Sequence, residues 1–360
     1  MRFLNAIPIL ILLCNLSLAA AIADEPPRRI GVIASLSGFA APYGQAVVNG
    51  AQVAKDELAR QGIRVELFIE DDQSIPKNTA TAYEKLRNLD RVQALVGGSW
   101  WVNSIVHSVE RDGIPFISCE TLYNKDFIRA GNYFSLAGDL REWIRVFEPL
   151  LREKRWKTGM MVRFVSGFAD TLEEEWVKLF SQEGRKAIPA LRYSDLEMTG
   201  AQTLATRAVA AQPDVIFVDA QPDSLATFIR ELRKQGGAAI SIFSHSAAEE
   251  SLEQGLINQN EIVDRLFFLR RSSYDRAVLQ AFSERGLSQP TLNGDLGYYA
   301  TLLIAQALQS GRDPVAALKA GLTIHGTSFT FDDNNVSHTI RQEVYAVRPG
   351  GSERVHMKNP

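Results

Sequence analysis

Three loop sequences in this chain carry polar and aromatic residues at spacings suited to holding a small molecule. The first is Gly97-Gly98-Ser99-Trp100-Trp101. Two glycines let backbone N–H groups approach a ligand, and Ser99 adds a hydroxyl at the start of a helix, a combination suited to a carboxylate or another anion. The tryptophans, Trp100 first, offer a flat apolar wall; the bland alternative is a tight turn with two packing aromatics. The second is Ser118-Cys119-Glu120-Thr121, where a carboxylate and a hydroxyl suit an ammonium group; otherwise Glu120 is a solvated loop charge or a helix N-terminal acid. The third is Ser166-Gly167-Phe168-Ala169-Asp170, in which Phe168 either stacks on a ligand or is an ordinary loop aromatic.

Other reactive residue types form no catalytic or metal-binding set. Asp71-Asp72 has no third ligand at metal-site spacing and reads as acids that cap the next helix. The five histidines (His107, His245, His325, His338 and His356) form neither H-x-x-x-H nor H-E-x-x-H. Only His245, between Ser244 and Ser246 after a strand, lies where a ligand would be. A G-x-S-x-G elbow is absent, and Ser35-Leu36-Ser37-Gly38 lacks the G-x-G-x-x-G of a dinucleotide site. The expectation is therefore a binding protein with no catalytic residues, no metal and no cofactor.

The elements that must position these loops alternate strand and helix. IGVIASLSG from Ile30 reads as a buried strand ending in a small-residue loop, with Tyr43-Gly44 opening an amphipathic helix that stops at Gly62. Strands at 64–69, 93–96 and 114–118 alternate with helices near 76–88 and 102–111. Such βα repeats with short loops predict a parallel sheet covered on both faces. A second series starts at Asp139, where Asp139 and Glu142 have capping-box spacing. Leu140, Trp143, Ile144, Phe147 and Leu151 form an apolar stripe that Pro149 should kink or shorten. Strands at 158–164, 214–218, 239–243 and 266–269 follow, with Pro222 in the first turn of a helix. Helices at 293–308 and 314–320 and strands at 327–331 and 340–347 close the chain.

Composition bounds the setting. Arg2, the apolar run Ile7–Leu18 and Ala21-Ile22-Ala23 have the layout of a cleavable secretory signal over residues 1–23, with Cys14 inside the discarded peptide. Its removal would leave 337 of the 360 residues, and because Arg2 is the only charge lost, the net charge goes from −3 to −4. That length suggests two lobes. Mild acidity without a basic cluster argues against nucleic acid as partner. Cys119, the one remaining cysteine, reads as a small buried hydrophobe.

Taken in order and spacing, IGVIASLSG with Tyr43-Gly44, Glu70-Asp71-Asp72, ALVGGSW, GIPFIS and GDLGYYATLLIAQAL resemble the periplasmic substrate-binding proteins of branched-chain amino acid ABC transporters, over about residues 28–348. The resemblance implies an α/β fold of two Rossmann-like lobes with parallel central sheets, joined by three hinge crossovers near 135–139, 269–273 and 329–333. The expected lobes are 24–137 plus 270–330 and 138–269 plus 331–360. It also implies a ligand α-carboxylate at Gly98-Ser99 and an α-amino group at Ser118–Thr121. Departures from the family pattern are Ser-Cys-Glu-Thr for Ser-Pro-x-Ala-Thr, Phe168-Ala169 for Tyr-Gly, Asp219-Ala220-Gln221 where an aromatic is common, and His245-Ser246 near the usual acid. The expected ligand-binding residues are Ser99, Trp100, Glu120, Thr121, Phe168, Gln221 and His245. The expected role is a monomeric periplasmic receptor that delivers an amino acid or a related amide or carboxylate to an ABC permease; the alternative is a sensor reporting to a regulator.

Overall fold

The computed structural model describes residues 26–121, 131–271, 276–287, 290 and 293–355. The expected signal segment and Cys14 lie outside them. Two compact units divide the chain: Met1–Cys119 with Arg276–Gly326, and Glu120–Asp275 with Thr327–Pro360. The chain thus passes between units three times, after Cys119, Asp275 and Gly326, against the expected 137, 269 and 330.

In the first unit, strands β1 (Arg28–Ala34), β2 (Val65–Asp71), β3 (Ala94–Gly98) and β4 (Phe116–Ser118) pair in parallel in the order β2-β1-β3-β4. Helices α1 (Ala41–Arg60), α2 (Pro76–Asn88) and α3 (Val106–Asp112) connect them. The order reverses between β1 and β3, so the loops after these two strands diverge and leave a crevice at the carboxyl end of the sheet. Ile30, Val32, Ile33 and Ala34 are wholly buried, as a strand covered on both faces requires. Helix α1 packs on the long helix Gly294–Gln309 from the chain's last third, and a Cβ at Gly50 would stand 1.9 Å from the carbonyl oxygen of Gly294. Only glycine permits that approach.

The second unit repeats the plan. After the short strand β5 (Tyr133–Ser135), strands β6 (Thr158–Phe164), β9 (Val215–Asp219), β10 (Ser241–Ser244) and β11 (Leu266–Arg271) pair in parallel. The short strands β7 (Lys186–Ala187) and β8 (Leu191–Tyr193) pair with β6 on its other side, so the order reverses between β6 and β9. Strands Gln342–Arg348 and Gly351–Arg354 add an antiparallel edge beside β11. The sheet's period of two divides its core: Met160, Val162, Ile216 and Val218 enter one apolar cluster, while Met161, Val215 and Phe217 enter the other.

Local details bear out the shortening expected at Pro149 and replace the expected capping box. The apolar stripe from Leu140 is two helices, Leu140–Arg145 and Glu148–Lys154, with Pro149 in the first turn of the second, where its missing N–H breaks no helical bond. Asp139 caps the first of these helices through the N–H of Arg141 at 2.8 Å, and it also ion-pairs with the Arg141 guanidinium. The reciprocal box with Glu142 is replaced because Glu142 faces His338, 3.0 Å away. Cys119 is fully buried. Among the described residues no helix is long and apolar enough to cross a membrane.

Candidate functional site

Each unit gathers polar and aromatic side chains at the strand ends flanking its reversal point. In the first unit the centre is Asp72, one residue beyond β2 and wholly buried. Its Oδ1 accepts from the Ser35 hydroxyl (2.7 Å) and the Ser74 N–H (3.0 Å), and its Oδ2 from the Thr79 hydroxyl (2.9 Å) and the Ser99 hydroxyl. Four donors around one carboxylate offset the cost of burying its charge. Ser99 therefore sits inside the network: its hydroxyl donates to Asp72 and accepts from the N–H of Trp101 at 3.1 Å.

The neighbouring Asp71 tethers the β1 loop. It accepts from the N–H groups of Leu36 (2.8 Å) and Gln73 (2.8 Å) and from the Ser37 hydroxyl (2.7 Å). Partial burial pushes its carboxyl pKa up, but these hydrogen bonds together outweigh burial and hold it below the ordinary value. The two acids thus bind loop to loop, a wider task than capping one helix. Gly98 lies within β3 and is demanded by packing, since a Cβ there would meet Val47 at 2.7 Å.

The two tryptophans part company. The indole N–H of Trp101 donates to the Ser74 carbonyl at 3.0 Å and so belongs to the Asp72 network. Trp100 instead joins Phe39 (centroids 5.1 Å apart, edge-on) and Tyr43 (5.6 Å). Phe39 is 46% exposed, so this aromatic group borders open space above the buried network.

In the second unit, the loop after β6 starts helix Gly167–Leu179, and Ser166 caps it through the N–H of Ala169 at 3.1 Å. That cap sets Phe168 edge-on to Trp143, 5.7 Å between centroids, and His245 lies on the same indole at 5.9 Å. His245 caps the helix Ser246–Glu253: its Nδ1 accepts from the N–H of Ala247 (3.4 Å). The ring hydrogen is thereby assigned to Nε2, which faces Asp219 Oδ1 at 3.3 Å. Asp219 ends β9 and is 8% exposed, and its carbonyl accepts from the buried Tyr193 hydroxyl at 2.6 Å. Burial, reinforced by Asp219 and Asp195, pushes the Tyr193 phenol pKa far up, so it remains a neutral donor. The Trp143 indole nitrogen is buried without a hydrogen-bond partner among the described residues.

Thus Phe168 and His245 come together around Trp143, Gln221 stands two residues beyond Asp219 as the half-buried residue before helix Pro222–Lys234, and Ser99 and Trp100 belong to the first unit. Glu120 and Thr121 fall at the first passage between units; the Glu120 carbonyl accepts from Ser135 (3.1 Å) and Thr121 is buried. Residues 122–130 lie outside the described set. Trp143 and Asp219 were absent from the sequence-derived candidates. Trp143 hides in an apolar helical stripe, while an acid directly following a wholly apolar strand was the available signal for Asp219. Among the described residues no group of three or more His, Cys, Asp or Glu side chains is placed to hold a metal.

Over residues 27–348 the chain matches a family model described as periplasmic binding protein. The chain belongs to that family. Family members are solute-binding receptors, not enzymes. Among solved structures, the fold is similar to LivJ, a branched-chain amino acid transporter substrate-binding protein from Streptococcus pneumoniae crystallised with isoleucine (TM-score 0.73, 18% identity, 92% of this chain and 99% of that one). It is similar too to the leucine-binding protein LivK of Thermotoga maritima (TM-score 0.75, 18% identity, 92% and 99%). A solute-binding protein of an ABC transporter from R. palustris, solved with benzoate, matches at TM-score 0.74 and 16% identity over 92% of this chain and 96% of that one. In sequence, a Leu/Ile/Val-binding protein of Rhizobium johnstonii, BraC3, is 39% identical over 85 residues, which span 22% of this chain and 23% of that protein.

Proposed function

We propose that this chain is an exported, monomeric receptor that takes one small polar organic solute, an amino acid or a related amide or carboxylate, and delivers it to an ABC permease through hinge closure. Family membership over residues 27–348 supports the receptor role. The observation that carries the ligand class is the Trp143 group. A buried indole N–H without a partner lies between a phenyl ring and an imidazole whose Nε2 faces a carboxylate. A buried donor without an acceptor costs about 1–3 kcal/mol, so a ligand carbonyl or carboxylate oxygen that accepts from it recovers that loss. Phe168 and the indole supply a flat wall beside it. In the first unit Trp100 with Phe39 and Tyr43 offers an aromatic surface of its own, and Ser99 joins the proposed set by fixing that loop, since its hydroxyl is committed to Asp72, Ser35 and the Trp101 N–H. Glu120, Thr121 and Gln221 complete the proposed set. Isoleucine and benzoate, the solutes of two similar structures, share a carboxylate beside an apolar body and are the first compounds to try.

The test is calorimetric titration of unfolded and refolded protein with isoleucine, leucine, benzoate, benzamide and urea, alongside thermal melts. A ligand at 100 times its Kd should add about 2.7 kcal/mol of stability. Binding of at least one compound with a Tm rise supports the reading. Failure of the whole panel, with the protein folded, overturns the assigned ligand class.

A further inference from the structure

A second polar site lies at the opposite end of the second unit's sheet. A cavity of about 220 Å³ is lined by Arg152, Arg155, Trp156, Lys157, Glu183 and Arg185 among others. Lys157 directly precedes β6, whereas Phe168 follows its far end, so the seven residues of that strand separate the two places by roughly 20 Å. Four cations and one acid line this cavity. The decisive residue is Arg185, whose side chain is only 3% exposed. Its Nη1 stands 3.2 Å from Glu183, but among the described residues Nε and Nη2 are buried without a hydrogen-bond partner, and Glu148 is 4.0 Å from Nη2. Arg152 already bridges both acids, at 2.8 Å to Glu148 and 2.8 Å to Glu183. Arg155 and Lys157 are exposed at the rim, and neither side chain makes an ion pair among the described residues. Their placement follows from the chain: Arg155 ends the helix Glu148–Lys154 in a left-handed conformation (φ 57°), and Lys157 is anchored by its N–H to Asp214 at 2.7 Å.

A buried guanidinium with two adjacent N–H groups unpaired among the described residues, and a rim of exposed cations, has the geometry of an oxyanion fork. We propose that this cavity binds a small tetrahedral oxyanion of the phosphate or sulfate type, at a site separate from the proposed solute site. Arg185 Nε and Nη2 would donate in parallel to two oxygens, with Arg155 and Lys157 closing from the rim. The same phosphate chemistry is offered by a phospholipid headgroup; the recessed guanidinium and small volume favour the free ion.

The full chain, stripped by refolding, is titrated with inorganic phosphate and with sulfate against sodium chloride of matched ionic strength. The expected result is saturable heat and a raised Tm with either oxyanion. Affinity for phosphate should fall at least tenfold in the rim variant R155Q/K157Q. Arg185→Met should abolish the phosphate response while the protein stays folded, because the side chain it replaces is buried and incompletely paired. A melt indistinguishable from matched chloride, or an unchanged phosphate Kd in the rim variant, would overturn the proposal. Cosedimentation with phosphatidylglycerol vesicles but not phosphatidylcholine vesicles, lost in the rim variant and unaccompanied by free phosphate binding, would overturn it in favour of a lipid surface.

Discussion

The two units place different chemistry at equivalent points of the same plan. Where β1 and β3 diverge, the first unit holds Asp72 with every donor satisfied, so its polar groups are directed inward at one another. Where β6 and β9 diverge, the second unit holds Asp219, His245 and Trp143 in a looser arrangement that leaves one indole N–H without a partner among the described residues. The first network fixes loop geometry; the second retains unmet hydrogen-bonding capacity. The lesson is that position at the carboxyl end of a parallel sheet marks where a ligand goes, while satisfaction of the polar groups there distinguishes scaffold from contact.

The sharpest way to break this contrast is to remove the scaffold acid. Asp72→Ala removes an acceptor from three hydroxyls and one N–H, and we expect it to cost about 3 kcal/mol or more in urea unfolding. A loss below 1 kcal/mol would mean that the carboxylate is not the network's hub. Ser99→Ala removes one donor to Asp72 and should cost about 1–2 kcal/mol of stability. If solute affinity falls with no change in unfolding midpoint, Ser99 belongs with the contacts and the contrast weakens.

For the second unit the expected pattern is reversed. Trp143→Phe keeps a ring against Phe168 and His245 but deletes the unpaired N–H, so solute affinity should fall by about 1–2 kcal/mol, roughly 5- to 30-fold, with stability unchanged or slightly raised. Unchanged affinity by calorimetry would exclude that indole nitrogen from the site.

The smallest effect concerns pH. Asp71 is held below the ordinary carboxylate pKa of 3.8, so its stabilisation is fully present above the unfolded value and disappears as pH falls through the lower folded value. Asp71→Asn should therefore be less stable than wild type by roughly 1 kcal/mol at neutral pH, and the gap should narrow progressively in melts as pH falls below 3.8. A gap that does not change with pH would assign the loss to geometry instead of charge.

Much of the scaffold was legible in the residues. Helix Pro76–Asn88 and strand Thr158–Phe164 were read at their observed limits, because a Pro start and a short, largely apolar run are local signals. Short edge strands such as Lys186–Ala187 escaped notice since two residues carry no periodicity. In the candidate site, Phe168 and His245 were visible as loop residues after strands, but Trp143 was not: its spacing fits an apolar helical face equally well whether that face meets core or cleft.

The alternation of strand and helix, the family resemblance and the places where strands end could be read along the chain, because they depend on near neighbours and on composition. Which polar groups at those places are used up depends on how distant segments pack. Ser35, Asp72 and Ser99 are separated by 37 and 27 residues along the chain yet share hydrogen bonds, and Trp143 is brought to His245 across about a hundred residues. Hydrogen-bond satisfaction is a property of contacts in space, set by sheet order and helix packing, and no local pattern encodes it.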